Sequence, residues 1–347
     1  MLPAAHGDAL LVQWGTNRER HHMLVDAGPL GTYASIHDRL TDLGTSPALE
    51  LLVVTHIDGD HIEGVIRLLQ DRHALGLQIG DVWFNGWPQL PATDRLGPDY
   101  GEMVGALVQR GELPWNTPYG GNAVAVPEQG PLPSYPLNGG AHVTLLGPGL
   151  SQLRKLKANW TKVLADVDVT PGQVDAALRR LAKRKDLKGL DVQGRTAKPD
   201  NSVSNGSSIS MLFEYDNRAL LLTGDSHSAP LVAGIQRLLK ERGKDRLHVD
   251  AFKLPHHCSQ ANVTDELLAL VETPRYLVST NGDRYRHPDK EAILRVVGQL
   301  ERDSDTKLFF NYLSKTTAQW TKPATAKKYR YAPIFPEGGT AGIVVEV

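Results

Sequence analysis

The chain has 347 residues, of which 41% are hydrophobic and 22% charged, and its formal net charge at pH 7 is −1. This length allows one large α/β domain or two smaller ones. The near-zero charge excludes a strongly basic composition, so any preference for nucleic acid has to come from local patches. Cys258 is the single cysteine, which excludes an intrachain disulfide and favours a reducing compartment.

The sequence lacks the charged and apolar segments of a secretory leader. Its apolar runs are also shorter than the roughly 18 residues that a membrane-spanning helix needs. We therefore expect a cytoplasmic protein without membrane spans. No internal repeats or low-complexity tracts interrupt the chain.

The chain opens with two short strands, predicted over 9–14 and 22–25, and Asp26-Ala27-Gly28 follows the second. Apolar residues at helical spacing then predict a helix over 35–43. After it, the apolar run 51–54 reads as a buried central strand. An amphipathic helix is predicted to begin at Ile62.

Four residues of metal-binding type lie within six positions after this central strand: His56, Asp58, Asp60 and His61. Imidazole nitrogens and carboxylate oxygens are ligands of Zn²⁺ and Mn²⁺. Residues 56 and 58 project to one side of an extended segment, while the turn brings the other two around. The spacing therefore suits two nearby ions, although Asp60 could instead cap the helix.

The β-α-β order continues with a strand predicted over 82–85. Residues 86–140 are rich in proline and glycine, with one helix predicted over 100–110. We expect the rest of this segment to form loops over the active-site face that set substrate choice. A further strand is predicted over 143–148.

Residues 151–198 are predicted to form an insertion with two helices, over 153–167 and 171–187. The insertion contains 12 Lys or Arg residues and 5 Asp or Glu residues. Five basic residues cluster on the second helix: Arg179, Arg180, Lys183, Arg184 and Lys185. Such a surplus is typical of a surface that contacts phosphate backbones, and equally of a solvated helical face. The absence of interleaved aromatic residues weakens a base-stacking role for this cluster.

The second half of the chain repeats the pattern of strands that end in polar residues. Strands predicted over 210–215 and 219–223 are followed by Gly224-Asp225. A strand over 247–254 runs into the segment 253–259, Lys-Leu-Pro-His-His-Cys-Ser. After a helix over 264–271, a strand over 276–279 leads to the segment 281–288, Asn-Gly-Asp-Arg-Tyr-Arg-His-Pro.

The remainder of the chain begins with a helix predicted over 289–299. Residues 301–347 are then predicted to form a β-rich C-terminal extension, with strands over 307–313, 318–321, 329–335 and 341–347.

The segment 55–61, Thr-His-Ile-Asp-Gly-Asp-His, resembles the H-x-H-x-D-H signature of the metallo-β-lactamase fold, with Asp58 in place of the second histidine. Within this fold, the chain resembles the branch typified by the metallo-hydrolase domain of ComEC-type competence proteins and its free-standing relatives. Gly7-Asp8-Ala9, the segment 253–259 and the segment 281–288 support this resemblance, with Cys258 standing where the family has glycine.

The resemblance implies an α/β (α+β) fold, the αββα metallo-β-lactamase sandwich. It covers residues 1–290, so we expect a hydrolase domain over 1–300 that includes the basic insertion 151–198. Residues 301–347 form the extension outside the resemblance. It also implies that Asp26 braces the metal loop rather than binding metal.

The resemblance further implies two divalent metal ions, Zn²⁺ or Mn²⁺, with Mg²⁺ also possible. Asp225 would bridge them, and one of the two adjacent histidines would close the second site. We favour His256, with His257 beside it or facing substrate, although spacing does not separate the two. The expected ligands are His56, Asp58 and Asp225 at site 1, and Asp60, His61, Asp225 and His256 at site 2.

Site 1 departs from the family pattern in two ways that matter for the metal. Asp58 replaces a histidine, and the segment 200–209 stands where related enzymes carry a third site-1 histidine. Both changes make the site richer in oxygen ligands, which shifts its preference from Zn²⁺ toward Mn²⁺ or Mg²⁺.

Other roles follow from the same resemblance. Asp60 could orient the attacking water, Lys253 could stabilise a phosphate, and His287 at the rim could donate a proton or contact phosphate. Whether Cys258 acts as a thiol nucleophile or ligand stays open. Four further residues are candidate substrate contacts: Asn205, Ser208, His257 and Asn281.

We therefore expect a metal-dependent hydrolase, first of all a phosphodiesterase or nuclease with a metal-activated water and a nucleic acid or other phosphodiester as substrate. One alternative is a hydrolase of small esters, thioesters or lactams. Another is a catalytically degenerate nucleic-acid-binding module. Because fold does not determine function, the fold itself supports only metal-assisted hydrolysis. The sequence identifies no protein partner.

Overall fold

A computed structural model of the chain describes residues 1–16, 18–91, 99–165, 170–183, 202–300, 305–339 and 341–347. The strands in these ranges are β1 (Leu10–Gly15), β2 (Arg20–Val25), β3 (Ala48–Leu49), β4 (Leu51–Val53), β5 (Gln78–Ile79), β6 (Val82–Trp83), β7 (Ser134–Pro136), β8 (His142–Gly147), β9 (Ser210–Tyr215), β10 (Arg218–Leu222), β11 (Leu247–His248), β12 (Ala251–Lys253), β13 (Val271–Glu272), β14 (Arg275–Val278), β15 (Lys307–Phe310) and β16 (Ala332–Ile334). The α-helices are α1 (Tyr33–Thr41), α2 (Gly59–Asp71), α3 (Asp99–Arg110), α4 (Leu150–Ala165), α5 (Val174–Lys183), α6 (Val203–Gly206), α7 (Ser228–Arg242), α8 (Asp265–Leu270), α9 (Lys290–Gly298) and α10 (Pro323–Tyr329).

The strands form two main sheets. The first has four strands in the order β1-β2-β4-β6, and the second has eight in the order β16-β15-β14-β12-β10-β9-β8-β7. In the first sheet, β2, β4 and β6 run parallel. In the second, β10, β12, β14, β15 and β16 do so. Parallel strands end at the same edge of a sheet, so the loops that follow them lie close together.

The two sheets face each other across an apolar core. In β2, Met23 and Val25 lie in this core, whereas Leu24 belongs to a cluster on the opposite face. Met211 and Phe213 enter the same core from β9 of the second sheet. Successive side chains of a strand point to opposite faces, so each sheet also needs cover on its outer side.

Helices provide this cover on both sides. Ile36 of α1, Val65 of α2 and Val104 of α3 pack against the outer face of the first sheet. Leu238 of α7 and Ile293 of α9 pack against the outer face of the second. The molecule is therefore a four-layer αββα arrangement, and the expected metallo-β-lactamase sandwich is confirmed.

The C-terminal region extends the second sheet, because β15 pairs parallel with β14 and β16 with β15. The strand predicted over 318–321 is wrong, since Ala318–Thr321 is a 3-10 helix. Helix α10 follows at once, and its first residue is Pro323, whose fixed φ suits that position. The division of the chain at residue 300 stays a prediction.

The strand predicted over 341–347 is also wrong, because these residues form no strand in the described structure. Their backbone makes isolated hydrogen bonds instead of the regular hydrogen-bond ladder of a β-strand. The amide of Gly342 donates to the carbonyl of Asn311, and the amide of Ile343 donates to the carbonyl of Met1, both over 2.8 Å. These contacts hold the two ends of the chain close together.

The two helices predicted in the insertion are present as α4 and α5. Helix α4 buries Leu153, Leu156 and Trp160 in the core beneath the first sheet, so the insertion is anchored there. On α5, Arg180 Nε lies 3.1 Å from Asp99 Oδ1 of α3. The rest of the predicted insertion, residues 166–169 and 184–198 with the basic residues Arg184 and Lys185, lies outside the described residues. Within the described ranges, no helix is both long enough and apolar enough to cross a membrane.

Candidate metal centre

The predicted ligands converge because they follow the ends of strands in both sheets. His56 comes after β4, Asp225 after β10, and His256 and His257 after β12. All three strands point toward the same region, where open α/β sheets place their ligands. The predicted metal loop extends into helix α2, and His61 lies in the first turn of that helix.

Asp26 braces this loop as the sequence predicts. Its Oδ1 accepts the amide N–H of Thr55 over 2.8 Å, and its Oδ2 accepts the Thr55 hydroxyl over 2.6 Å. Asp26 Oδ2 also lies 2.7 Å from His61 Nδ1. Two glycines allow close contact between backbone segments around this loop. A Cβ on Gly7 would lie 1.7 Å from the carbonyl oxygen of Asp60, and a Cβ on Gly64 would lie 2.0 Å from the carbonyl oxygen of Ala27.

The inward-facing histidines share one hydrogen-bonding pattern. Nδ1 of His56 lies 2.9 Å from the Thr55 hydroxyl oxygen, Nδ1 of His61 lies 2.7 Å from an Asp26 oxygen, and Nδ1 of His257 lies 2.9 Å from the Ser279 carbonyl oxygen. In the neutral rings each Nδ1–H donates to its oxygen, which leaves the Nε2 lone pair facing the cluster. Metal-ligating histidines in proteins are commonly held in this way.

Asp225 is the centre of the cluster. Its Oδ2 lies near Nε2 of four histidines: 3.5 Å from His61, 3.5 Å from His257, 3.7 Å from His256 and 4.0 Å from His56. Its other oxygen, Oδ1, is buried without a hydrogen-bond partner among the described residues. A carboxylate in such a position is suited to bridging two ions.

Asp58 and Asp60 stand on either side of this centre. Asp58 Oδ2 lies 3.7 Å from His56 Nε2, and Asp60 Oδ2 lies 3.5 Å from His257 Nε2. The side chain of Asp58 is 41% exposed, whereas that of Asp60 is 10% exposed. The structure therefore places Asp58 beside His56, and places Asp60 beside His257.

The adjacent histidines exchange the roles that we expected from the sequence. The side chain of His257 is fully buried and lies within metal-binding range of Asp60 and His61, whereas that of His256 is 20% exposed. The backbone explains this, because residues 256 and 257 have φ values of 47° and 52°. This left-handed turn directs the second ring inward, so the geometry favours His257 as the ligand of site 2.

The donor set fits a pair of divalent cations. Among the described residues, three groups of side chains offer ligand atoms within 4.8 Å of one another: His56, His61 and Asp225; Asp60, His61 and His257; Asp8, Asp225 and His257. His56 Nε2 is buried without a hydrogen-bond partner among the described residues, which leaves a lone pair for a metal. A mixture of imidazole and carboxylate ligands suits Zn²⁺, Mn²⁺ or Fe²⁺. Ca²⁺, in contrast, prefers sites made entirely of oxygen ligands.

The charge balance of the cluster also favours cation binding. Burial lowers the pKa of His56 to about 4, so this ring is neutral at pH 7. Burial opposes protonation of His257 as well, but the carboxylates of Asp225 and Asp8 outweigh it and raise its pKa to about 10. Without metal, protons on histidines therefore offset the negative charge of the carboxylates. A bound cation would displace those protons.

Lys253 does not reach the surface of the site. Its side chain is fully buried, and its Nζ lies 2.6 Å from Asp8 Oδ2. The other Asp8 oxygen lies 3.4 Å from His257 Nδ1. The expected contact between Lys253 and a phosphate is therefore not available in this arrangement, and the lysine supports Asp8 behind the inward histidine. Asp8 was not among the predicted site residues, although its Gly-Asp-Ala motif was part of the resemblance.

The predicted substrate contacts lie in different surroundings. Ser208 Oγ is buried 3.2 Å from His56 Nδ1, so it supports a ligand rather than facing substrate. Asn205 Nδ2 lies 3.4 Å from His256 Nε2 at the edge of the cluster. Asn281 donates to Asp283 within its own loop, over 2.8 Å.

Of the remaining candidates, His287 lies at the rim and Cys258 lies in the core. The His287 ring centroid is 5.3 Å from that of His256, and its side chain is 12% exposed. Cys258 is completely buried, and burial raises the pKa of its thiol well above the usual range. A buried, protonated thiol is a poor nucleophile and a poor ligand, so the reactive role left open for Cys258 is not supported.

Comparisons with known proteins add little to this geometry. No protein-family model matches the chain, and no curated protein does so. Two solved structures that match are CmlA, a diiron β-hydroxylase from Streptomyces venezuelae (12% identity over 95% of this chain and 53% of that chain, TM-score 0.38), and a mutant of the CmlA β-hydroxylase (13% identity over 96% and 52%, TM-score 0.38). The chain spans about half the length of these proteins. A likeness this distant carries no argument about activity, so the class rests on the layers and the cluster: a metallo-β-lactamase fold with a candidate dinuclear metal centre.

Proposed function

We propose that this protein is a metal-dependent hydrolase of phosphodiester bonds, related to the ComEC-type branch of the metallo-β-lactamase fold, with nucleic acid or nucleotides as its substrates. The observation that carries the proposal is the position of Asp225, whose Oδ2 lies 3.5–4.0 Å from Nε2 of four histidines. The ligands of the two ions would be His56, Asp58 and Asp225 on one side, and Asp60, His61, Asp225 and His257 on the other.

Two divalent ions held there would supply Lewis acidity, which activates water and polarises a phosphoryl group. The chain itself supplies the orientation of the ligands. Asp26 and the Ser279 carbonyl hold His61 and His257 by their Nδ1 atoms. A cluster fixed in this way needs little rearrangement when charge develops in the reaction.

Asp60 is suited to orienting the attacking water. Burial alone would raise its pKa, but the hydrogen bond with His257 and the charge of His61 hold the pKa well below the usual range. Asp60 is therefore ionised across the physiological range and can accept a hydrogen bond. Its partial exposure of 10% places it where the cluster meets solvent.

His287 is suited to protonating the leaving group. Burial lowers its pKa, while Asp289, whose Oδ1 lies 3.5 Å from His287 Nδ1, opposes this. Its ring lies beside His256 at the mouth of the cluster. A protonated imidazole at that position can deliver a proton to the leaving group, and the Asp289 carboxylate favours the protonated form.

The preference for phosphodiesters over carboxylic esters has two supports. The sequence resembles the ComEC-type branch in four separate motifs. In addition, Asp58 makes site 1 richer in oxygen ligands, which the divalent cations of phosphoryl-transfer enzymes prefer.

The test is cleavage of end-labelled single- and double-stranded DNA and RNA with Mn²⁺, Mg²⁺ or Zn²⁺. Asp225→Asn and Asp60→Ala serve as inactive variants, and Leu313→Ala, at a side chain that is 56% exposed, serves as the control that keeps wild-type activity. Metal-dependent cleavage that both site variants lose supports the proposal. A protein that binds two ions and cleaves none of these substrates, nor bis(p-nitrophenyl) phosphate, contradicts it.

A further inference from the structure

A wall of aromatic rings extends from the cluster to the surface, beyond the groups that the proposed chemistry uses. The Tyr285 ring centroid lies 5.8 Å from that of His6 and 6.3 Å from that of His287. The His287 centroid lies 5.3 Å from that of His256, whose Nε2 is 3.7 Å from Asp225 Oδ2. At the outer end of the wall, Tyr285 is 37% exposed.

The two loops that carry this wall are fixed to each other and to the fold. The amide of Asn281 donates to the carbonyl of Ala5 over 2.8 Å, which joins the loop of Tyr285 to the loop of His6. The hydroxyl of Thr316 donates to the carbonyl of His287, also over 2.8 Å. A surface that is ordered before binding loses little conformational entropy when a ligand docks on it.

The carboxylates of the cluster act electrostatically on the outer part of the wall. Burial and the carboxylates of Asp60 and Asp58 raise the pKa of Tyr285 to about 12. Asp60 also interacts electrostatically with His6. Together with the ring contacts from Tyr285 through His287 to His256, this places Tyr285 beside a ligand bound at the cluster.

The composition of the wall indicates which ligand it suits. The Arg284 guanidinium carbon lies 5.4 Å from the Tyr285 ring centroid. An exposed aromatic ring next to an arginine is the combination by which proteins hold single-stranded nucleotides, the ring stacking on the base and the cation adding electrostatic attraction.

We propose that Tyr285, packed against His6, stacks on the nucleobase of the nucleotide whose phosphodiester lies at the metal cluster. This rests on the proposed function and names its substrate class as nucleotide-containing phosphodiesters. Tyr285 is then a residue that determines specificity, and removal of its ring lowers the preference for a substrate with a base without disabling the metal centre.

The first experiment compares hydrolysis of thymidine 5′-p-nitrophenyl phosphate with that of methyl p-nitrophenyl phosphate, which has no base. We expect the wild type to prefer the nucleotide, by about tenfold in kcat/KM from stacking alone. Tyr285→Ala should lose this preference mainly through KM, whereas Tyr285→Phe should keep it. A preference that survives in Tyr285→Ala, or that is absent from an active wild type, overturns the inference.

The second experiment decides the inference even when no hydrolysis occurs. Binding of thymidine 5′-monophosphate and of 2-deoxyribose 5-phosphate to the Mn²⁺-loaded protein is measured by calorimetry. Tighter binding of the nucleotide, lost in Tyr285→Ala and kept in Tyr285→Phe, supports the stacking site even if the hydrolase proposal fails. Equal binding of the two ligands by the wild type overturns it.

Discussion

At the scale of single residues, two adjacent histidines have the same side chain and different surroundings. His257 is fully buried against Asp60, His61 and Asp225, whereas His256 is 20% exposed and lies beside the rim. Loss of a buried ligand removes a metal–nitrogen bond, while loss of the exposed ring leaves the donor set intact.

We therefore predict that His257→Ala lowers the affinity for the second metal ion by at least about tenfold, and that His256→Ala keeps two ions per chain. Metal content after dialysis, measured by mass spectrometry, and metal titration by calorimetry check both variants. The reverse result, with two ions in His257→Ala and one in His256→Ala, would assign the ligand as the sequence alone suggests.

The buried pair of Asp8 and Lys253 gives a second prediction at this scale. The atoms that join them are 2.6 Å apart and both side chains are almost completely buried. Lys253→Met leaves a buried carboxylate without its partner, which costs about 3–5 kcal/mol of unfolding free energy. The double variant Asp8→Asn/Lys253→Met buries no unpaired charge, so we expect it to be more stable than Lys253→Met.

Urea denaturation of the metal-free proteins measures these differences, since a lower midpoint at unchanged slope reports lower stability. A Lys253→Met variant as stable as the wild type would show that the pair is not needed in the fold. The resemblance of the segment 253–259 implied a functional role for Lys253, but only the packing of its strand shows that its amine points at Asp8.

At the scale of elements, the predictions succeeded where apolar periodicity is strong and ends in polar residues. The central strand and the loop after it have this pattern, and the structure places β4 and α2 there. Helix α7 was not predicted, although Leu231, Ile235 and Leu238 have helical spacing. Sequence order also does not show that the turn at 256–258 has positive φ, which decides the ligand.

The contact between the N-terminal loop and helix α2 gives the prediction at this scale. A Cβ on Gly7 would lie 1.7 Å from the Asp60 carbonyl oxygen, so Gly7→Ala has to move the loop or the first turn of α2. Because Asp60 lies in that turn, we expect a loss of stability of about 1–3 kcal/mol from overpacking and weaker metal binding.

Gly31→Ala is the matched control, because a Cβ there meets no atom within 4 Å. Thermal unfolding and metal titration of the two variants check the prediction. Wild-type stability and affinity in Gly7→Ala would show that the loop and α2 separate without cost to the site.

At the scale of the whole molecule, the cluster joins the two halves of the sandwich. His56, Asp58, Asp60 and His61 follow β4 of the first sheet, and Asp225 and His257 follow β10 and β12 of the second. The sequence predicts this architecture through its resemblance to the metallo-β-lactamase fold, together with its two sets of strands that end in polar residues. It predicts that the C-terminal strands extend a sheet or form a small separate appendage, and it does not decide between the two, because parallel pairing between distant segments leaves no local pattern.

Because ligands from both sheets would share the same ions, we predict that metal binding stabilises the entire fold. At a free metal concentration of 100 times Kd, the gain in unfolding free energy is about 2.7 kcal/mol. Addition of Mn²⁺ or Zn²⁺ should therefore raise Tm in the wild type and not in Asp225→Asn, and excess EDTA should reverse the shift. Unchanged Tm in the wild type would contradict a cluster shared by the two sheets.

The same shift should depend on pH in a defined direction. His257 in the metal-free protein has its pKa raised to about 10, so at pH 7 it carries a proton that a metal ion has to displace. Rising pH removes this competition, and metal affinity should increase from pH 6 to pH 8 by up to about tenfold per pH unit for each proton released. Calorimetry in buffers of different ionisation enthalpy counts the protons. An affinity that falls as pH rises over this range would show that His257 is not a ligand.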